Sequence, residues 1–202
     1  MRIDMTRAEI SKSLAKLVKA VPPPASPLHP SGTPDPYAPE LPSSYLQLLT
    51  TYGSGHFLHD DKHFLEFLNP FAPGYKKSVV GYLDLLRELK TEAEDSNVLP
   101  PMPYDVWPEK HGLYPWAFGE GRKHYFWLTK GSPQKWTVVT MYDIEEFTEF
   151  DIPAAVFLQR LVCGEIDASF FGFDGPLDPT KVTFCSEPPR LGEWKGYPGR
   201  TP

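Results

Sequence analysis

The chain has little cysteine, no long apolar run and few cations, and each shortage removes a class of protein. Two cysteines in 202 residues, Cys163 and Cys185, are too few for a disulfide framework, so two reduced and partly buried thiols are expected. No stretch approaches the ~18 uninterrupted apolar residues that a membrane-spanning helix requires. The opening MRIDMTRAEISKSLAKLVKA breaks its apolar residues with charges too often for a signal peptide. The expected address is cytoplasmic, with no membrane contact. Only 20 Lys+Arg stand against 26 Asp+Glu, a net charge of −6, and such a chain repels phosphates, which argues against nucleic acid as a partner.

Signatures of chemistry are equally scarce. FGEGRKHYF supplies Gly119 and Gly121 but no third glycine, and it runs into a strand where a dinucleotide fingerprint opens a helix. There is no GKS or GKT, and no cofactor is expected. GSG at residues 53–55 lacks the outer spacing of a nucleophile elbow. GHFLHDDKHF gathers His56, His59 and His63 with Asp60 and Asp61, but His59 and His63 would share a face only on a helix. The segment reads as strand, so a polar loop with solvated histidines and no metal is expected. No pair of carboxylates can be assigned to acid–base work from spacing alone. The expectation is a protein that is not an enzyme.

What the chain does have is proline, aromatics and a concentrated negative charge. Its 24 prolines exceed the ordinary share of about 5% and imply long connections around a packed part. A hydrophobic share of 41%, with 14% aromatic, suffices to fill one core in a single large domain. Thr6 with Glu9 forms a capping-box pattern, and Ile10, Leu14, Leu17, Val18 and Val21 follow on one helical face. VPPPASPLHPSGTPDPYAPELP then reads as an extended linker. Its Pro24, Pro27 and Pro30 have PxxP spacing, for which a plain linker is the commoner explanation.

A second helix is predicted after Pro42, through Tyr45, Leu48, Leu49 and Tyr52, stopped by Gly53 and Gly55. HFLEFLN reads as a strand, and Val79, Leu83, Leu86 and Leu89 as a third helix. YPWAF predicts a short strand beside a hairpin of KHYFWLTK and KWTVVTM joined by GSPQ. Large side chains on both faces of these strands imply a sheet covered by helices. FDIPAAVFLQRLVCG predicts a closing helix, capped by Asp151 and ended by Gly164, and KVTFC an edge strand. The expected class is α+β, an antiparallel sheet of about four to six strands packed with helices. The domain reading is an N-terminal helix at 1–20, a Pro-rich linker at 21–40, the main domain at 41–173 with an insertion at about 78–108, and an extension at 174–202.

From Asp143 to Asp178 nine acids, namely Asp143, Glu145, Glu146, Glu149, Asp151, Glu165, Asp167, Asp174 and Asp178, face Arg160 alone. That window carries −8 while the whole chain carries −6, so the remainder is +2. Carboxylates near a helix start account for Asp151 and Glu149, and a solvated face could account for others. A patch of one sign also steers a basic partner.

The order LPSSYLQLLTTYGSGHF, YPWAFGEGRKHYFWLTK, WTVVTM, FDIPAAVFLQRLVCGEI resembles the SUKH superfamily, over roughly Leu41 to Ile166 with one long insertion. The matching positions are Leu41, Pro42, Tyr45, Leu48, Tyr52, Gly53, Gly55, Phe118, Gly119, Tyr125, Phe126, Phe157, Leu158, Leu161 and Gly164. That group contains bacterial immunity proteins of polymorphic toxin systems and a fungal regulator of cell-wall synthesis. The resemblance implies an α+β fold without catalytic residues that binds and neutralises a cognate protein toxin. Such toxins are often nucleases with basic clefts, which an acidic surface would suit. Asp143, Glu145, Glu146, Glu149, Asp151, Glu165 and Asp167 are the candidate partner-binding residues. A non-enzymatic regulatory scaffold, with the proline-rich segments as docking sites, is the alternative, and a hydrolase the third reading.

Overall fold

Thr6 starts the first helix as its spacing predicts: its side chain accepts from the Glu9 backbone N–H, and its own N–H donates to the Glu9 carboxylate over 2.7 Å. The computed structural model describes residues 5–30, 32–95, 102–120, 122–142 and 146–188. Within them lie four α-helices, α1 (Arg7–Ala20), α2 (Ser43–Tyr52), α3 (Tyr75–Asp95) and α4 (Ala154–Val162). The strands are β1 (Gly55–His59), β2 (Lys62–Phe67), β3 (Leu113–Gly119), β4 (Lys123–Leu128), β5 (Thr137–Tyr142), β6 (Glu146–Phe150) and β7 (Val182–Ser186). They form one seven-stranded sheet, β6-β5-β4-β3-β2-β1-β7, antiparallel at every pairing.

The α+β class therefore holds, with two more strands than the five read from the sequence. One is β1, which forms a hairpin with β2 across Asp60 and Asp61, both at positive φ (49° and 61°) as a two-residue turn demands. The other is β6, whose EFTEF interleaves charge with phenylalanine. It is an edge strand and needs only partial burial.

Strand alternation divides the aromatic residues between two covered faces. Tyr125 and Trp127 point to the side where Tyr45 of α2 and Phe157 of α4 pack against them. The Tyr45 hydroxyl lies 2.9 Å from the Leu68 carbonyl and 2.8 Å from that of Trp116, tying α2 to the ends of β2 and the middle of β3. Trp116 occupies a bulge where the β3–β4 register shifts, and so it joins the same face as Tyr125. α4 packs on β5, α1 and α2, and of its nine residues only Arg160 escapes burial. Each buried Phe, Leu or Val there contributes about 1.5–3 kcal/mol. His124, Phe126 and Phe118 face the other way, where Tyr82 of α3 covers Phe118 and His124.

Two local expectations change. Asp151 does not cap α4: the cap position belongs to Pro153, which makes no side-chain hydrogen bond, and the helix begins two residues later than Asp151 could serve. The proline-rich stretch expected as a linker lies against the domain. The Ser54 N–H donates to the Leu28 carbonyl (2.7 Å) and the Asp35 N–H to that of Pro70 (2.8 Å). Gly53 makes this possible. It ends α2 at φ +71°, and a Cβ there would stand 2.6 Å from the Leu28 carbonyl oxygen.

Candidate functional site

The acidic window is built on three different elements. Glu146 pairs with Tyr142 across β5–β6, and Glu149 with Val139. Tyr142 and Val139 stand on opposite faces of the sheet, so the two glutamates project to opposite sides of the edge strand, both exposed. Glu149 is steadied by Tyr104, whose hydroxyl donates to Oε2 over 3.3 Å and whose ring lies 5.5 Å from that of Phe147. Burial first, and the Glu149 charge second, push the Tyr104 phenol up to about 12. Asp151 is exposed in the turn between β6 and α4.

Glu165 and Asp167 belong to the loop after α4, beyond about 14 Å of helix. Glu165 accepts from Gln159 Nε2 (2.9 Å) and pairs with Lys16 of α1 at 3.7 Å. Asp167 accepts the Ser169 main-chain N–H, and that bond holds its carboxyl below the usual range. Asp143 and Glu145 lie outside the described residues. The structure thus brings Glu146, Glu149 and Asp151 to one edge and its end, and ties Glu165 into the α1–α4 contact.

A second cluster forms at the opposite edge of the sheet. His56 pairs with Cys185 across β1–β7 and with Glu66 across β1–β2, so the three side chains share one face. Glu187 follows Cys185 by two residues and returns to that face. The Cys185 thiol donates to Glu187 Oε1 over 3.8 Å, and His56 Nδ1 stands 4.0 Å from Glu187 Oε2. The His63 ring lies 4.7 Å from that of His56. Both histidine side chains retain only 12% exposure, and Glu66 is buried. They are therefore strand residues in a partly covered sheet face, where a polar loop with solvated histidines was expected.

The set His56, His59, His63, Asp60 and Asp61 is not assembled. Alternation sends His59 to the other face, against Phe173 at 5.6 Å, and Asp60 lies between His59 Nδ1 at 3.9 Å and Lys181 at 2.9 Å. The missed partners of His56 are Cys185 and Glu187, about 130 positions along the chain, and no local pattern marks them. Ser54 of the GSG stretch is buried and 3.4 Å from Asn69 Nδ2. Gly119 ends β3, where a Cβ would fall onto the Phe64 carbonyl, so that glycine serves strand approach. Trp116, Trp127 and Trp136 are all buried in the core.

Among the described residues no helix is long and apolar enough to cross a membrane. Comparison with protein-family models, with curated proteins and with solved structures finds no match.

Proposed function

We propose that this chain is an immunity-type binding protein that neutralises a cognate protein toxin with a basic cleft, engaging it through the β6 edge. One observation carries the reading: exposed Glu146 and Glu149 straddle an edge strand, and exposed Asp151 stands at its end. Carboxylates on both sides of one strand cannot all meet a flat surface. They suit a cleft that receives the sheet edge as a blade, with basic walls on either side. Edge charges also deter edge-to-edge aggregation. That role is met by charge of either sign, so substitution with lysine separates the two.

The test begins with capture of a stoichiometric partner from the source organism by the tagged full chain. Association kinetics are then measured for native protein and for Glu146→Lys/Glu149→Lys. Association with a basic partner should slow at least about tenfold at low salt, with a flatter salt dependence. Unchanged kinetics, or a partner whose contact surface is acidic, would remove β6 from the interface.

A second reading, a non-enzymatic regulatory scaffold, draws on the opposite side of α2. There His29, Pro30, Leu46, Leu49, Thr50 and Phe71 line a groove of about 380 Å³. Leu46 and the neighbouring Leu28 are 38% and 42% exposed, the two large hydrophobic side chains left open to solvent among the described residues. Protection of α2 rather than β6 from hydrogen exchange in the captured complex would favour it.

A further inference from the structure

The histidine–cysteine corner of the sheet carries donors that the partner reading does not use. One ligand atom each from His56, Cys185 and Glu187 all lie within 4.8 Å of one another. In a tetrahedral zinc site with ordinary bond lengths, such atoms stand about 3.4–3.6 Å apart. The present spacing therefore needs a contraction of up to about 1.4 Å, within reach of side-chain rotation. We infer that His56, Cys185 and Glu187 form a zinc site, with three protein ligands and an outward fourth position for water.

The backbone supplies the preorganisation. His56 and Cys185 are direct cross-strand partners, which fixes their Cβ atoms about 4.5–5.5 Å apart on one face. Glu187 lies two residues beyond Cys185, so the pleat returns it to that side. The His56 ring is backed by His63, whose own Nδ1 is turned to Glu120 at 3.8 Å. His63 is not one of the three residues whose ligand atoms lie within 4.8 Å of one another. His56 is already largely buried, so little ordering cost is left for the ion to offset.

The chemistry of the set selects the ion. One thiolate, one imidazole and one carboxylate combine a soft, a borderline and a hard donor, and the thiolate and imidazole suit zinc and disfavour magnesium and calcium. Thiolate and carboxylate together carry two negative charges against a dication. Binding would cross-link edge strand β7 to β1 and so clamp the last strand to the sheet. The corner lies at the far edge from β6, and its fate in experiment is independent of the partner reading.

The full chain is stripped with chelator and titrated with zinc chloride against a chromophoric competitor, and separately with cobalt chloride. Expected are one ion per chain, tetrahedral cobalt bands in the visible, and a thiolate-to-cobalt charge-transfer band. Cys185→Ser should abolish the charge-transfer band and weaken zinc binding at least tenfold. His56→Ala should weaken it similarly while keeping that band with cobalt in excess. Exposed His29→Ala should change neither. The two ligand variants are read in parallel, with circular dichroism, so that loss of fold in one leaves the other decisive. Absence of stoichiometric binding by the native chain, a cobalt spectrum without thiolate character, or native affinity in a folded Cys185→Ser or His56→Ala protein would each overturn the site.

Discussion

Acidification should weaken this fold through one histidine, and the size of the loss follows from where that histidine sits. His124 is 5% exposed on β4, beneath the Tyr82 ring of α3 at 5.4 Å and stacked on Phe126 at 6.3 Å. Burial disfavours the imidazolium and pushes its pKa down to about 3 from an ordinary value near 6.5. The unfolded chain thus takes up a proton as pH falls through about 6.5, while the folded chain declines it until about 3. Stability is fully present above the unfolded value, is lost as pH falls below it, and the loss levels off near the folded value. Between pH 8 and pH 5 the linkage relation gives about 2 kcal/mol. That figure barely depends on the folded value, because at pH 5 the folded imidazole is still neutral. The assay is urea denaturation followed by tryptophan fluorescence at several pH values, for the native chain and His124→Phe. The phenylalanine keeps a ring on Tyr82 and removes the titration, so the native chain should lose about 2 kcal/mol relative to the variant on going to pH 5, whatever the starting difference. Parallel curves across that window would refute the assignment of a buried neutral imidazole.

Two further perturbations probe how the sheet is held. Gly119→Ala places a Cβ on the Phe64 carbonyl at the β2–β3 junction, where backbone and not a flexible side chain must yield. Thermal unfolding should show a loss of about 2 kcal/mol or more, and a neutral alanine would mean that these strands are not so close. Tyr45→Phe removes the hydroxyl that serves the buried carbonyls of Leu68 and Trp116, at 2.9 and 2.8 Å. Calorimetry should register about 1–3 kcal/mol of destabilisation, chiefly from the Leu68 carbonyl since that of Trp116 keeps the Leu68 N–H, whereas no change would mean that water reaches the Leu68 carbonyl.

Periodicity alone was enough for much of this architecture. The apolar spacing from Ile10 to Val21, from Tyr45 to Tyr52 and from Val79 to Leu89 marked three helices, and the alternation in KHYFWLTK and KWTVVTM marked the central hairpin. These are local signals, set by 3.6-residue and two-residue repeats, and they survive without knowledge of neighbours. The Thr6–Glu9 box is equally local. EFTEF carries little strand signal because an edge strand is half solvated and shows weak alternation. The sequence places Asp151 at a cap position because it does not reveal that Pro153 sets the first turn of α4.

The two candidate sites divide in the same way. The excess of carboxylates after Asp143 was visible as composition. That Glu146 and Glu149 face opposite sides, while Glu165 turns to Lys16, depends on a pleat and on a helix contact. The meeting of His56 with Cys185 and Glu187 had no sequence signal at all. β7 is the last strand along the chain and pairs with β1, at the far edge of the sheet from β6, the strand that precedes it in sequence. A chain's own spacing determines which face each residue shows. Which distant strand completes that face is decided by the packing of the whole core, since strand pairing is non-local and a one-residue slip would put other side chains together.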